Sequence, residues 1–216
     1  MLWLSGGHSR ALDAALPPGV GWMLQPGKGN QPTAGRWWAA DTGCFRAPER
    51  FSWPGYVTWL RRQAYPERCL FATAPDVVGQ ARATLEAARS PLAALRALGY
   101  RAALVAQDGL EGLSVPWEAF DCLFVGGTTS WKLSEAAYRL VGEAKARGKW
   151  THLGRVNSLR RLRAARVSGY DSADGTQLSF GPDKYLARVR AWLEDIQAQP
   201  GLPLWRPTQE AAWSSS

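Results

Sequence analysis

Short apolar runs alternate with polar or glycine-containing turns and helix-period segments along almost the whole chain. The runs predict strands at Leu2–Ser5, Gly21–Gln25, Trp37–Ala40, Cys69–Thr73, Ala102–Ala106, Cys122–Val125, Trp150–Leu153 and Gly169–Ser172. Several are apolar without alternation, as in parallel strands covered on both faces. Ala137, Leu140, Val141 and Ala144 recur at helical spacing within Ser134–Arg147, and Gly148 follows as a stop. Tyr185, Leu186, Val189, Trp192, Leu193 and Ile196 form one stripe along Pro182–Ala198. In Gly79–Leu98, Pro91 directly follows Ser90, which predicts a second helix capped at that point. The connections Lys28–Arg36 and Gly109–Phe120 look short of helix.

Eight strand–helix units in 216 residues predict an α/β fold: a single compact (β/α)8 barrel of the TIM type over residues 1–199, with some helices shortened. Residues 200–216 have no sustained periodicity and read as a tail. A doubly wound open sheet is the alternative, but no G-x-G-x-x-G follows the first strand.

Composition narrows the chemistry. No apolar run nears the roughly 20 residues that cross a bilayer. Met1 to His8 lacks a basic segment leading into a long apolar one, so a cytoplasmic protein without membrane partners is expected. Cys44, Cys69 and Cys122, with His8 and His152, are too scattered for a disulfide framework or a metal cage; neither metal nor cofactor is expected. The net charge of +8 favours a polyanionic partner. Arg155, Arg160, Arg161, Arg163 and Arg166 cluster after the seventh strand, where barrels often bind phosphate. Lys28 and Arg36 flank a glycine-containing loop that offers a second contact. A solvated basic face explains the cluster equally well. Of the twelve tryptophans, Trp37, Trp38, Trp131 and Trp150 lie where one could stack on an extruded base, although packing accounts for most.

Barrel sites are built at the C-terminal ends of the strands. Those ends carry Asp41, Asp76, Gln107-Asp108, Gly126-Gly127, Arg155 and Asp171 to Asp174. Any one aspartate there could be only a helix or turn cap, and Gly126-Gly127 only a tight turn. Together they suit a purine held for glycosidic chemistry. One carboxylate accepts from N1–H and the exocyclic amine of a guanine-like base. Gln107 or the Gly126-Gly127 backbone donates to O6. A second carboxylate attacks C1′, and a third moves a proton.

Asp41-Thr42-Gly43-Cys44-Phe45 resembles the Asp-Ser-Gly-Gly-Phe motif of queuine/preQ tRNA-guanine transglycosylases. Asp76, Gln107 and Gly126-Gly127 follow in that family's order. Leu153-Gly154 and Gly169-Tyr170-Asp171-Ser172-Ala173-Asp174 are similar to its Met-Gly … Gly-Val-Asp-Met-Phe-Asp stretch. The resemblance implies Asp174 as nucleophile, with Asp171 as alternative nucleophile or buried structural acceptor. It implies Asp41 as proton carrier, Asp76 and Gln107 as base readers, and Gly126-Gly127 as a backbone contact. The family's zinc module has no counterpart, and the compact chain looks closer to phage and mobile-element proteins that put 7-deazaguanines into DNA. The expected partners are therefore DNA (or tRNA) and a guanine or 7-deazaguanine base, with a homodimer or partner subunit possible. A non-catalytic nucleic-acid-binding subunit and a base-removing N-glycoside hydrolase are the competing readings.

Overall fold

The computed structural model describes residues 1–6, 10–29, 31–44 and 48–198. Eight strands, each parallel to its neighbours, close into a barrel in chain order. They are β1 (Leu2–Ser5), β2 (Val20–Leu24), β3 (Trp38–Ala40), β4 (Cys69–Thr73), β5 (Ala102–Ala106), β6 (Cys122–Val125), β7 (Trp150–Leu153) and β8 (Ser172–Gly175). β8 seals the barrel against β1, with Leu4 beside Asp174. The expected barrel is present, and the open sheet is excluded.

Alternate side chains explain why these strands are apolar on both faces. Leu4, Met23, Ala39, Phe71, Ala103 and Cys122 belong to a small cluster inside the barrel, and Trp150 fills its N-terminal end. Trp3, Trp22, Trp38, Leu104 and Leu123 join a larger cluster with the surrounding helices. Those helices are α1 (Arg10–Ala15), α2 (Trp53–Leu60), α3 (Ala81–Ala97), α4 (Thr129–Lys132), α5 (Glu135–Ala146), α6 (Leu159–Val167), α7 (Gln177–Phe180) and α8 (Pro182–Ala198). Serine and threonine hydroxyls start four of them: Ser52, Thr128, Ser134 and Ser158 each accept a backbone N–H from the first turn. Gly148, at φ 68°, ends the α5 segment as its position suggests.

Two local expectations fail for identifiable reasons. α3 runs unbroken through Pro91. Proline there forfeits the bond to the Ala87 carbonyl, but Ala87 lies on the exposed face while Ala88, Leu92 and Leu95 bury the opposite stripe. Packing outweighs one lost bond. The eighth strand starts three residues later than expected, at Ser172. Gly169 and Tyr170 instead close the end of α6, donating to the Arg166 and Ala165 carbonyls. Among the described residues, Lys28–Arg36 shows no helix, and Gly109–Phe120 only the short 3-10 turns Leu110–Gly112 and Trp117–Ala119. Among the described residues, no helix is long and apolar enough to cross a membrane. The tail, His8 and Phe45 lie outside the described residues.

Candidate active site

A cavity of about 330 Å³ opens at the C-terminal ends of the strands. Asp41, Asp76 and Asp174 line it together with Gln107, Gly126 and Arg155. The barrel thus joins residues separated by more than a hundred positions in the chain.

Asp174 lies within β8 and points inward, as does Ser172 two residues earlier. Its Oδ1 is 3.1 Å from His152 Nε2 and accepts the Arg155 backbone N–H at 3.1 Å. Its Oδ2 accepts no hydrogen bond among the described residues, and Asp174 lines the cavity. His152 is fully buried on β7, wedged against Phe71 and Phe124 with ring centroids 5.0 and 4.5 Å away. Its Nδ1 lies 2.8 Å from Ser172 Oγ, which also accepts the Trp150 indole N–H at 2.8 Å. One arrangement uses every proton: Trp150 donates to Ser172, Ser172 to His152 Nδ1, and His152 Nε2–H to Asp174. In that arrangement the imidazole donates to the carboxylate and orients it.

Asp41 follows β3. Gln25 Nε2 donates to its Oδ2 at 2.7 Å, and the Gly43 N–H to its Oδ1 at 3.1 Å. Burial nevertheless raises its carboxyl above the ordinary aspartate range, and the charge of Asp174 adds to the rise. Asp76 is pushed up to about 6, chiefly by burial. Gln107 Nε2 donates to Asp76 Oδ2 at 2.7 Å, and the Cys44 thiol contacts Oδ1 at 3.3 Å. Gln107 also accepts the Gly79 N–H through Oε1 at 2.9 Å, so this buried carboxamide holds the β4 loop as well as Asp76. Burial and the adjacent Asp76 charge raise the Cys44 thiol to about 11, so it remains protonated and donates.

Several expected roles change. The N–H groups of Gly126 and Gly127 both point to the Ala106 carbonyl, at 3.0 and 3.2 Å, and are not offered to a base. Their carbonyls accept Arg155 Nη2 at 2.8 and 2.7 Å. These glycines are there for space. A Cβ on Gly126 would stand 2.6 Å from Val105 Cγ1, and one on Gly127 2.4 Å from Asp108 Oδ2. Asp108 itself is turned away to cap α4, accepting the Thr128 N–H at 2.8 Å.

Asp171 precedes β8 at the opposite end of the barrel, outside the cavity. Its carboxylate binds Lys145 Nζ at 2.6 and 2.8 Å and the Thr151 N–H at 2.8 Å, which makes it the structural acceptor rather than the alternative nucleophile.

The basic set also divides. Arg155 lines the cavity, and Lys28 reaches its lip from an exposed loop. Arg160 is exposed and Arg161 half-buried on the first turn of α6. Arg163 is bound by Asp195 of α8, and Arg166 is buried. Arg36 is a clamp: it binds Asp13 and the carbonyls of Leu16, Pro17 and Val20. Trp38, Trp131 and Trp150 are packed inside, while Trp37 is half-buried against Arg68. The aromatic ring at the cavity mouth is Phe180, 76% exposed at the end of α7.

His152 and Lys132 were the residues least visible in sequence. A lone histidine within an apolar strand gives no sign of its partners. Lys132, fully buried, donates from Nζ to the Gly154 carbonyl at 2.6 Å. No protein-family model matches the sequence, and no curated protein matches it significantly.

Proposed function

We propose that this barrel is a guanine-exchanging transglycosylase, replacing guanine in a polynucleotide, DNA rather than tRNA, with a 7-deazaguanine such as preQ0. The observation carrying this reading is the convergence of Asp41, Asp76 and Asp174 on one cavity in three different environments. Asp174 has one oxygen anchored by two donors and the other open, the arrangement a carboxylate nucleophile needs. Asp41, raised by burial, suits a proton carrier.

Asp174 Oδ2 attacks C1′ as the C1′–N9 bond breaks, and the bond pair leaves with guanine. Asp41 in its acid form gives guanine a proton. The incoming base then returns its N9 proton to Asp41 and attacks C1′, releasing Asp174. Asp76, ionised at neutral pH, accepts from N1–H and the exocyclic amine. With the Gly126-Gly127 donors occupied, Gln107 and Arg155, which line the cavity, are left as donors to O6 under this reading. Phe180 offers a ring for a neighbouring base, and Lys28, Arg160 and Arg161 offer charge for phosphates.

The test is incubation with duplex DNA, and separately tRNA, carrying radiolabelled guanine, with and without excess preQ0 or guanine. Label release that depends on added base, lost in Asp174→Asn together with any trapped covalent adduct, is expected. Undiminished exchange in Asp174→Asn would remove the assignment. Release without added base, leaving abasic sites, would identify a hydrolase, and DNA binding without release a non-catalytic subunit.

A further inference from the structure

Lys132 ends the single turn of α4 and is 1% exposed. An ammonium buried to that extent is costly unless its charge is used. Its one hydrogen bond among the described residues goes to the Gly154 carbonyl, at 2.6 Å. That carbonyl and the Arg155 N–H are two ends of the same amide, and the N–H points at Asp174 Oδ1, 3.1 Å away. Arg155 adopts the left-handed conformation at φ 61°, which a side chain other than glycine rarely does, and this turns its N–H toward the carboxylate. Its guanidinium, bound to the Gly126 and Gly127 carbonyls, keeps it there.

We propose that Lys132 is a positioning residue for Asp174, acting through the Gly154–Arg155 amide. The ammonium holds the carbonyl end of the peptide plane and polarises it, so that the N–H end is aimed and strengthened as a donor to Oδ1. This leaves Oδ2 pointed into the cavity. The catalytic consequence rests on the transglycosylase reading; the geometric link does not.

The charged groups around Lys132 agree with such a link. Burial, with the nearby charges of Arg155 and Arg161, pushes its ammonium down to about 8 against the opposing pull of Asp174. Deprotonation above about pH 8 turns a charged donor into a neutral one and loosens the grip on Gly154. A lysine that only filled space beside β7 would have no effect on the Arg155 amide when its charge is lost.

The experiment uses the full chain and the Arg155 backbone amide as reporter, observed by ¹⁵N–¹H NMR, with Lys132→Met and Lys132→Arg as variants. In Lys132→Met, whose stem is of similar length, the Arg155 amide proton is expected to move upfield and lose exchange protection about tenfold. Lys132→Arg restores both. In the wild-type protein, the same resonance is expected to shift in a single step centred near pH 8. In the exchange assay, kcat of Lys132→Met falls about ten- to a hundredfold with KM nearly unchanged, because Lys132 does not touch the base. A wild-type Arg155 resonance in Lys132→Met would overturn the proposal. If that variant fails to fold, a wild-type titration without the step would do the same. A moved resonance in a protein that never exchanges guanine would remove the transglycosylase reading and leave the link standing.

Discussion

His152 Nε2 lies 3.1 Å from Asp174 Oδ1, and the imidazole that makes this contact is itself held from behind by Ser172 and Trp150. Orientation of the carboxylate thus begins at the barrel floor. A chain of three side chains carries it to the cavity.

His152→Leu is expected to leave the barrel folded, since the ring already sits among Phe71 and Phe124. It removes one of the two donors on Oδ1. Exchange should fall about ten- to a hundredfold in kcat, as for a reacting group displaced by up to an ångström. His152→Gln, which can keep an N–H toward Asp174, should recover part of the loss. Steady-state kinetics on both variants checks this.

Asp76 supplies a pH dependence of stability. Its carboxyl titrates near 6 in the folded protein against an ordinary value of 3.8. Between these values the folded state binds the extra proton, so its contribution to stability falls as pH rises through the window. Asp76→Asn removes that slope while retaining an acceptor for Gln107. The variant is therefore expected to melt higher than wild type at pH 7 and to lose the advantage toward pH 4, while guanine binding is lost. Melting curves from pH 4 to pH 7 test the sign.

Gly126→Ala should cost about 1–3 kcal/mol in folding free energy, because its methyl meets Val105 and the Gln107 carboxamide. Gly142→Ala, in the middle of α5 with nothing near the added methyl, should instead stabilise by about 0.5–1 kcal/mol. Denaturant titration of the pair separates crowding at the site from backbone entropy.

Lys28→Ala should weaken DNA binding and lower the slope of log K against log salt by about 1, as for one lost phosphate contact. Arg163→Ala should leave the slope unchanged, since Asp195 already neutralises that guanidinium. Binding isotherms at several salt concentrations distinguish the two.

The sequence was most informative where one physical signal dominated. Seven strands were readable because their apolar residues had to be covered on both faces. The eighth was misplaced because Ser172-Ala173-Asp174-Gly175 carries no strand signal of its own; hydrogen bonds to His152 and pairing with β1 make it a strand. Asp41, Asp76 and Asp174 could be gathered from their positions after strands. Their partners could not, since Gln25 and His152 reach Asp41 and Asp174 from the adjacent strands, and no sequence signal says which side chains meet across such a pair. The Gly126-Gly127 pair matters in the fold for close approach rather than for its donors.

The seam between β1 and β8 forms one wall of the cavity, at Asp174. Asp174 stands beside Leu4 across that seam, so the carboxylate with the open oxygen is brought in by the strand that joins the two ends of the sheet. Asp76 follows β4, four strands round the barrel from β8, so under our reading the base is read from the wall opposite the one that reacts. A shift of β8 against β1 would therefore move the reactive oxygen relative to the carboxylate that reads the base.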